Sequence, residues 1–125
     1  TPERFELLKK LDAELGSLTQ NIPTILVGGT NGKSLTITFA TKLLTREGYT
    51  VAALYAPHIL TYNERIAFGD EIVSNKVFTE LGNEILNTAE TLGIELHSSE
   101  LLFFMSLAHA RMQHADVVLI ETMYN

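Results

Sequence analysis

The chain has 125 residues, about one domain, and its 46% hydrophobic and 19% charged residues exclude a disordered polymer. Fifteen Asp and Glu against nine Lys and Arg give a net charge of −6, and no basic cluster interrupts it, so nucleic acid is not an expected partner. No apolar run approaches the roughly 20 residues of a spanning helix, so no membrane association is expected; without cysteine there are no disulfides, thiolate metal sites or cysteine nucleophile, which points to the cytoplasm.

Thr1-Pro2-Glu3 reads as a helix start, a capping side chain followed by proline and an acid. Phe5, Leu8, Leu11 and Leu15 follow at helical spacing, with Gly16 as the stop. Asn21-Ile22-Pro23 turns the chain into Thr24–Val27, a short apolar run expected to be a strand covered on both faces. After a glycine-rich loop, the apolar residues between Ser34 and Glu47 predict a largely buried helix closed by Gly48. Thr50–Tyr55 predicts a second apolar strand. Residues 56–70 lack a sustained period and read as a long, functional loop with a short strand near Ile66–Phe68.

Ser74 caps a predicted helix that ends at Gly93, and a further helix is expected from about Ser99 to His114, with Phe103, Phe104 and Met105 in the core. Val117–Ile120 is a third buried strand, delivering Glu121 at its C-terminal end. His97, His109 and His114 have no metal-ligand spacing and are expected at the surface, while Glu100 suits either a first-turn acid or a ligand. This element order predicts an α/β domain, a mostly parallel sheet with flanking helices. Ligands of such sheets bind beyond the carboxyl ends of the strands. The glycine loop, the 56–70 loop and Glu121 all fall at that edge.

Gly29-Thr30-Asn31-Gly32-Lys33-Ser34 lies between a strand and a helix. Glycines let several N–H groups converge on one anion, and the helix N-terminus adds partial positive charge. Lys33 supplies a point charge for the phosphates, and Ser34 a hydroxyl for magnesium. Val27 occupies the position of the first glycine in the usual phosphate-loop spacing, so this is a shortened P-loop-type element. The competing reading is a glycine turn with an incidental lysine.

GTNGKS, APHILTYNERIAFGDEIVS and DVVLIE together resemble the folylpolyglutamate synthase family, which includes the bifunctional dihydrofolate synthases and belongs with the Mur ligases. The resemblance covers nearly the whole chain. Its middle stretch is the most discriminating, because Mur ligases share the phosphate loop but not this stretch. Three departures stand out. No second glycine follows Lys33, Ala56 stands where the family has the serine of SPH, and Glu121 is followed by Thr122-Met123-Tyr124-Asn125 instead of GLGGR.

The resemblance implies that residues 1–125 are an incomplete N-terminal ATP-binding domain of the Mur ligase kind, with a C-terminal glutamate-ligase domain outside this chain. The implied cofactors are ATP and Mg2+, and the implied activity is ATP-dependent addition of L-glutamate to folate or dihydropteroate through an acyl phosphate. It assigns Gly29, Thr30, Asn31, Gly32, Lys33 and Ser34 to the nucleotide, and Ser34 and Glu121 to the metal. Lys33 and Glu121 take catalytic roles, and Pro57, His58, Asn63, Glu64 and Arg65 contact the pterin substrate. For the last group the bland alternative is an exposed loop in which Glu64 pairs with Arg65. A monomer is expected. Two rival functions remain: a non-catalytic nucleotide-binding module, and an amino-acid ligase of cell-wall precursor synthesis.

Overall fold

A computed structural model describes residues 1–28, 33–55 and 65–121, and at positions 21 and 33–35 the backbone alone. Helix α1 (Pro2–Glu14) begins as expected, with Thr1 Oγ1 accepting the Arg4 N–H at 3.1 Å. It stops at Gly16, whose φ of +93° suits a residue without a side chain. A short helix that the sequence reading missed, α2 (Leu18–Asn21), follows. The Asp12 carboxylate accepts both the backbone N–H (3.2 Å) and hydroxyl (2.6 Å) of Thr19, which holds this turn against α1.

Strand β1 (Thr24–Val27) leads toward α3 (Lys33–Arg46), and β2 (Val51–Leu54) lies beyond it. The chain then forms β3 (Ile66–Phe68) and β4 (Glu71–Ile72), the helices α4 (Asn75–Thr91) and α5 (Ser98–Met112), and finally β5 (Val117–Glu121). Ser74 caps α4, its hydroxyl accepting the Val77 N–H at 3.2 Å. The Glu100 carboxylate accepts the His97 N–H at 2.8 Å at the start of α5 and also binds the Arg4 guanidinium, pinning α1 to α5. Glu100 is therefore the first-turn acid of the two roles open to it.

The five strands form one sheet in the order β1-β5-β2-β3-β4. Strands β1, β5 and β2 are parallel, and β3 and β4 extend the sheet antiparallel. The sheet is thus mixed. Part of the supposed loop turns back as a hairpin onto β2, because Ile66 and Ala67 are apolar enough to bury there.

Alternate residues of β2 and β5 serve two cores. Ala52, Leu54, Val118 and Ile120 face α1, α2, α4 and α5, whereas Val51, Ala53, Val117 and Leu119 face α3 through Ile37.

Four expectations are corrected. Strand β1 is not covered on both faces, since Ile25 is 50% and Leu26 65% exposed. It is an edge strand that α3 touches lightly, and the helices lie mainly over β5 and β2. Among its described side chains, helix α3 buries Ile37 and Thr41 and presents Phe39 and Leu43 outward. His109 is not a surface residue: it is buried on the inner side of α5, while Phe103, expected in the core, is only half-buried.

Candidate functional site

Of the predicted site residues, Lys33 and Ser34 at the start of α3, Arg65 before β3 and Glu121 at the end of β5 are described. Strand β1 ends at Val27 and connects to α3 on one face, while the chain beyond β2 reaches α4 and α5 on the other. Strand β5 lies between β1 and β2. Connections that diverge to opposite faces leave a crevice at the strand ends, where ligands of open α/β sheets bind.

Glu121 ends β5 at that edge. It pairs in register with Val27, while Leu54 of β2 pairs with Ile120 one residue earlier. The glutamate is only 4% exposed, so it is a buried acid at the strand end. Ionised, it is a hard oxygen ligand, and the chain offers no thiolate that would favour a softer metal. This donor chemistry fits magnesium, which takes one or two protein oxygens and completes its shell with phosphates and water. Among the described residues, no cluster of three or more His, Asp or Glu side chains could hold a metal by itself.

Lys33 and Ser34 are the first two residues of α3, so the helix begins where the shortened loop requires. Its first backbone N–H groups have no partner within the helix and carry the positive end of its dipole. Gly29, Thr30, Asn31 and Gly32 lie outside the described residues. So do Pro57, His58, Asn63 and Glu64. Arg65 is half-buried beside β3, and its carbonyl accepts the Tyr55 N–H at 2.6 Å, which ties the end of the 56–64 segment to the end of β2. The structure therefore brings Val27, Lys33, Tyr55, Arg65 and Glu121 to the ends of adjoining elements.

Sequence reasoning passed over Tyr55, whose phenol oxygen lies 3.4 Å from Thr38 Oγ1 of α3. The available signal was a tyrosine at the end of a buried apolar strand, where a phenol requires a polar partner. A groove of about 720 Å³ lies elsewhere, between α1, α2 and α5, lined by Phe5, Leu8, Asp12 and Phe103 among others. It contains none of the predicted site residues. No helix among the described residues is long and apolar enough to cross a membrane.

No protein-family model matches the chain. It is 33% identical over 120 residues to the dihydrofolate synthase/folylpolyglutamate synthase of Bacillus subtilis, covering 92% of this chain and 28% of that protein. The corresponding protein of Buchnera aphidicola from Schizaphis graminum is 31% identical over 117 residues, covering 94% of this chain and 27% of its own length. The chain thus spans little more than a quarter of these curated relatives. Among solved structures, folylpolyglutamate synthetase from Lactobacillus casei matches with a TM-score of 0.84 and 25% identity, over 92% of this chain and 30% of that one. Another match with a TM-score of 0.84 and 25% identity, over 91% of this chain and 29% of the other, is a complex of a folylpolyglutamate synthase with AMPPCP and folate. Sequence identity and fold agree over almost the whole chain, and both match it to a part of dihydrofolate synthase/folylpolyglutamate synthases.

Proposed function

We propose that this chain is the ATP-binding, N-terminal part of an ATP-dependent ligase that adds L-glutamate to folate or dihydropteroate. The observation that carries the reading is the placement of Glu121 beside Val27, at the mouth of the glycine loop that leads into α3. A buried acid there answers a divalent cation, and a helix start with Lys33 answers phosphates. The AMPPCP and folate named with the related synthase are the ligand types this edge would receive.

In this reading the N–H groups at the start of α3, the residues Gly29 to Gly32 and the Lys33 ammonium bind the phosphates of ATP. Glu121 and the Ser34 hydroxyl would hold magnesium, which when bound offsets charge on the nucleotide. Residues 57–65, with Arg65 at their anchored end, contact the pterin substrate. The substrate's carboxylate oxygen attacks the γ-phosphorus and ADP leaves, giving an acyl phosphate. The glutamate amine then attacks the acyl carbon and phosphate departs. Lys33 offsets charge on the transferring phosphoryl group, so it acts in the first step.

The part that holds glutamate would lie in the portion of the relatives this chain does not span. The chain alone is therefore expected to bind nucleotide without forming product, because acyl transfer needs the amine held in place and water excluded.

Calorimetric titration of Mg·ATP into the parent chain and Lys33→Ala tests the site. Loss of a charge-assisted contact should cost about 1.5–3 kcal/mol, or roughly ten- to a hundredfold in affinity. Equal affinities would discard the phosphate assignment.

A further inference from the structure

Tyr55 is the first residue after β2, and it makes two connections at once. Its backbone N–H closes onto the Arg65 carbonyl at 2.6 Å. Its ring packs beside the core formed by Ile37, Val51, Ala53 and Leu119, and its hydroxyl reaches Thr38 of α3 at 3.4 Å. Thr38 lies five residues beyond Lys33, about 7.5 Å along the helix axis.

Among the described residues, the α3 side chains that pack in the core beneath the helix are apolar. Ile37 is fully buried, and Ala40 and Leu44 pack beside it. Phe39 and Leu43 face outward, largely exposed. Apolar contact is non-directional and tolerates small rotations and slides of a helix. A hydroxyl pair is directional, and its strength falls quickly with angle and distance.

We propose that Tyr55 is a positioning residue. Its hydroxyl, through Thr38, sets the rotation of the first two turns of α3 on the sheet, and so the aim of the N–H groups at the helix start toward the nucleotide's phosphates. This rests on the nucleotide-binding reading given above. At 3.4 Å the contact is at the outer limit of a hydrogen bond, so it adds little to global stability. Its effect belongs to the liganded state, in which active-site hydrogen bonds commonly tighten.

The test is a double-mutant cycle on the full chain, with Mg·AMPPCP as the titrant and thermal unfolding as control. Tyr55→Phe and Thr38→Val should each weaken binding by about two- to tenfold, the range of one neutral hydrogen bond. The double variant should lose no more than either single one, and Thr38→Ser, which keeps the hydroxyl, should bind as the parent does. Unfolding temperatures should stay within about 2 °C of the parent. Additive losses, parental affinity in Tyr55→Phe, or losses that follow a falling unfolding temperature would each overturn the proposal. Parent binding that is absent, or indifferent to Lys33→Ala, overturns the nucleotide reading and this inference with it. Lys33-dependent binding that ignores Tyr55 overturns the inference alone.

Discussion

Glu121 on β5 and Val27 on β1 are direct partners in the parallel ladder, which fixes a buried carboxylate beside the residue from which the chain enters the glycine loop. On the β5 side the position is held by Val118, Leu119 and Ile120, which are buried alternately in the two cores. The geometry of the site is thus a by-product of the core.

That relationship makes Glu121→Gln informative, since glutamine keeps the shape and removes the charge. If the carboxylate serves magnesium, affinity for Mg·AMPPCP should fall about tenfold or more, as for loss of a charge-assisted contact, while affinity for AMPPCP in EDTA stays unchanged. Calorimetry in the two buffers reads both values. An equal loss in EDTA would mean that Glu121 shapes the loop and leaves the metal to other groups.

The local signals in the sequence translated well. Thr1, Ser74 and Gly16 delimit helices where capping chemistry says they should, and the unbroken apolar runs Val51–Leu54 and Val117–Ile120 are buried strands. What failed depended on position in the fold. An apolar run such as Thr24–Val27 looks the same in a central or an edge strand, and only the sheet order reveals the exposed side chains. His109 is polar by type, yet it lies on the side of α5 that faces the core, three residues from the equally buried Ser106. At the site, Glu121 was legible because a buried run delivered it. The Tyr55 and Thr38 pair was not, because it joins elements that no spacing rule relates.

The uneven burial of the sheet predicts uneven mutational cost. Leu119→Ala empties a position that is 1% exposed between β1 and β2, and should cost about 2–5 kcal/mol in urea unfolding. Leu26→Ala removes a side chain already largely in water and should stay within about 0.5 kcal/mol. If Leu26→Ala proved as costly as Leu119→Ala, the β1 edge would be covered in solution. Sedimentation at several concentrations would then show an associated species.

Gly16 offers a separate test of how α1 meets α5. The Arg111 guanidinium donates to the carbonyls of Gly16 (2.9 Å) and Leu15 (2.7 Å), closing the end of α1. A Cβ at Gly16 would stand 2.8 Å from Arg111 Nη1, on a backbone that side chains rarely adopt. Gly16→Ala should therefore cost about 1–3 kcal/mol from backbone strain, plus the displaced guanidinium. In an Arg111→Ala background the same substitution should cost less, because only strain remains. Equal costs in both backgrounds would show that Arg111 yields freely.

Acid should weaken the fold in two separable steps. Burial disfavours the charged imidazolium of His109 and pushes its pKa below the usual 6.5. As pH falls through 6.5, the unfolded chain takes up this proton before the folded one does, so the stability present at higher pH declines. The Arg4 hydrogen bond, helped by the His97 N–H, holds the Glu100 carboxyl below its ordinary 4.5. Its contribution is complete above 4.5 and is lost as pH falls through the depressed folded value. Asp116, held down by hydrogen bonds from the Thr50 N–H and hydroxyl, adds to this lower step from 3.8 downward. Urea midpoints measured from pH 8 to pH 3 resolve the two. His109→Leu should remove the decline that begins near 6.5 and cost little at pH 8, since Nδ1 is a buried atom without a hydrogen-bond partner among the described residues. Glu100→Gln should leave that upper decline intact and reduce the lower one. A His109→Leu chain that still weakens near pH 6.5 would show that His109 is not the source of the upper step.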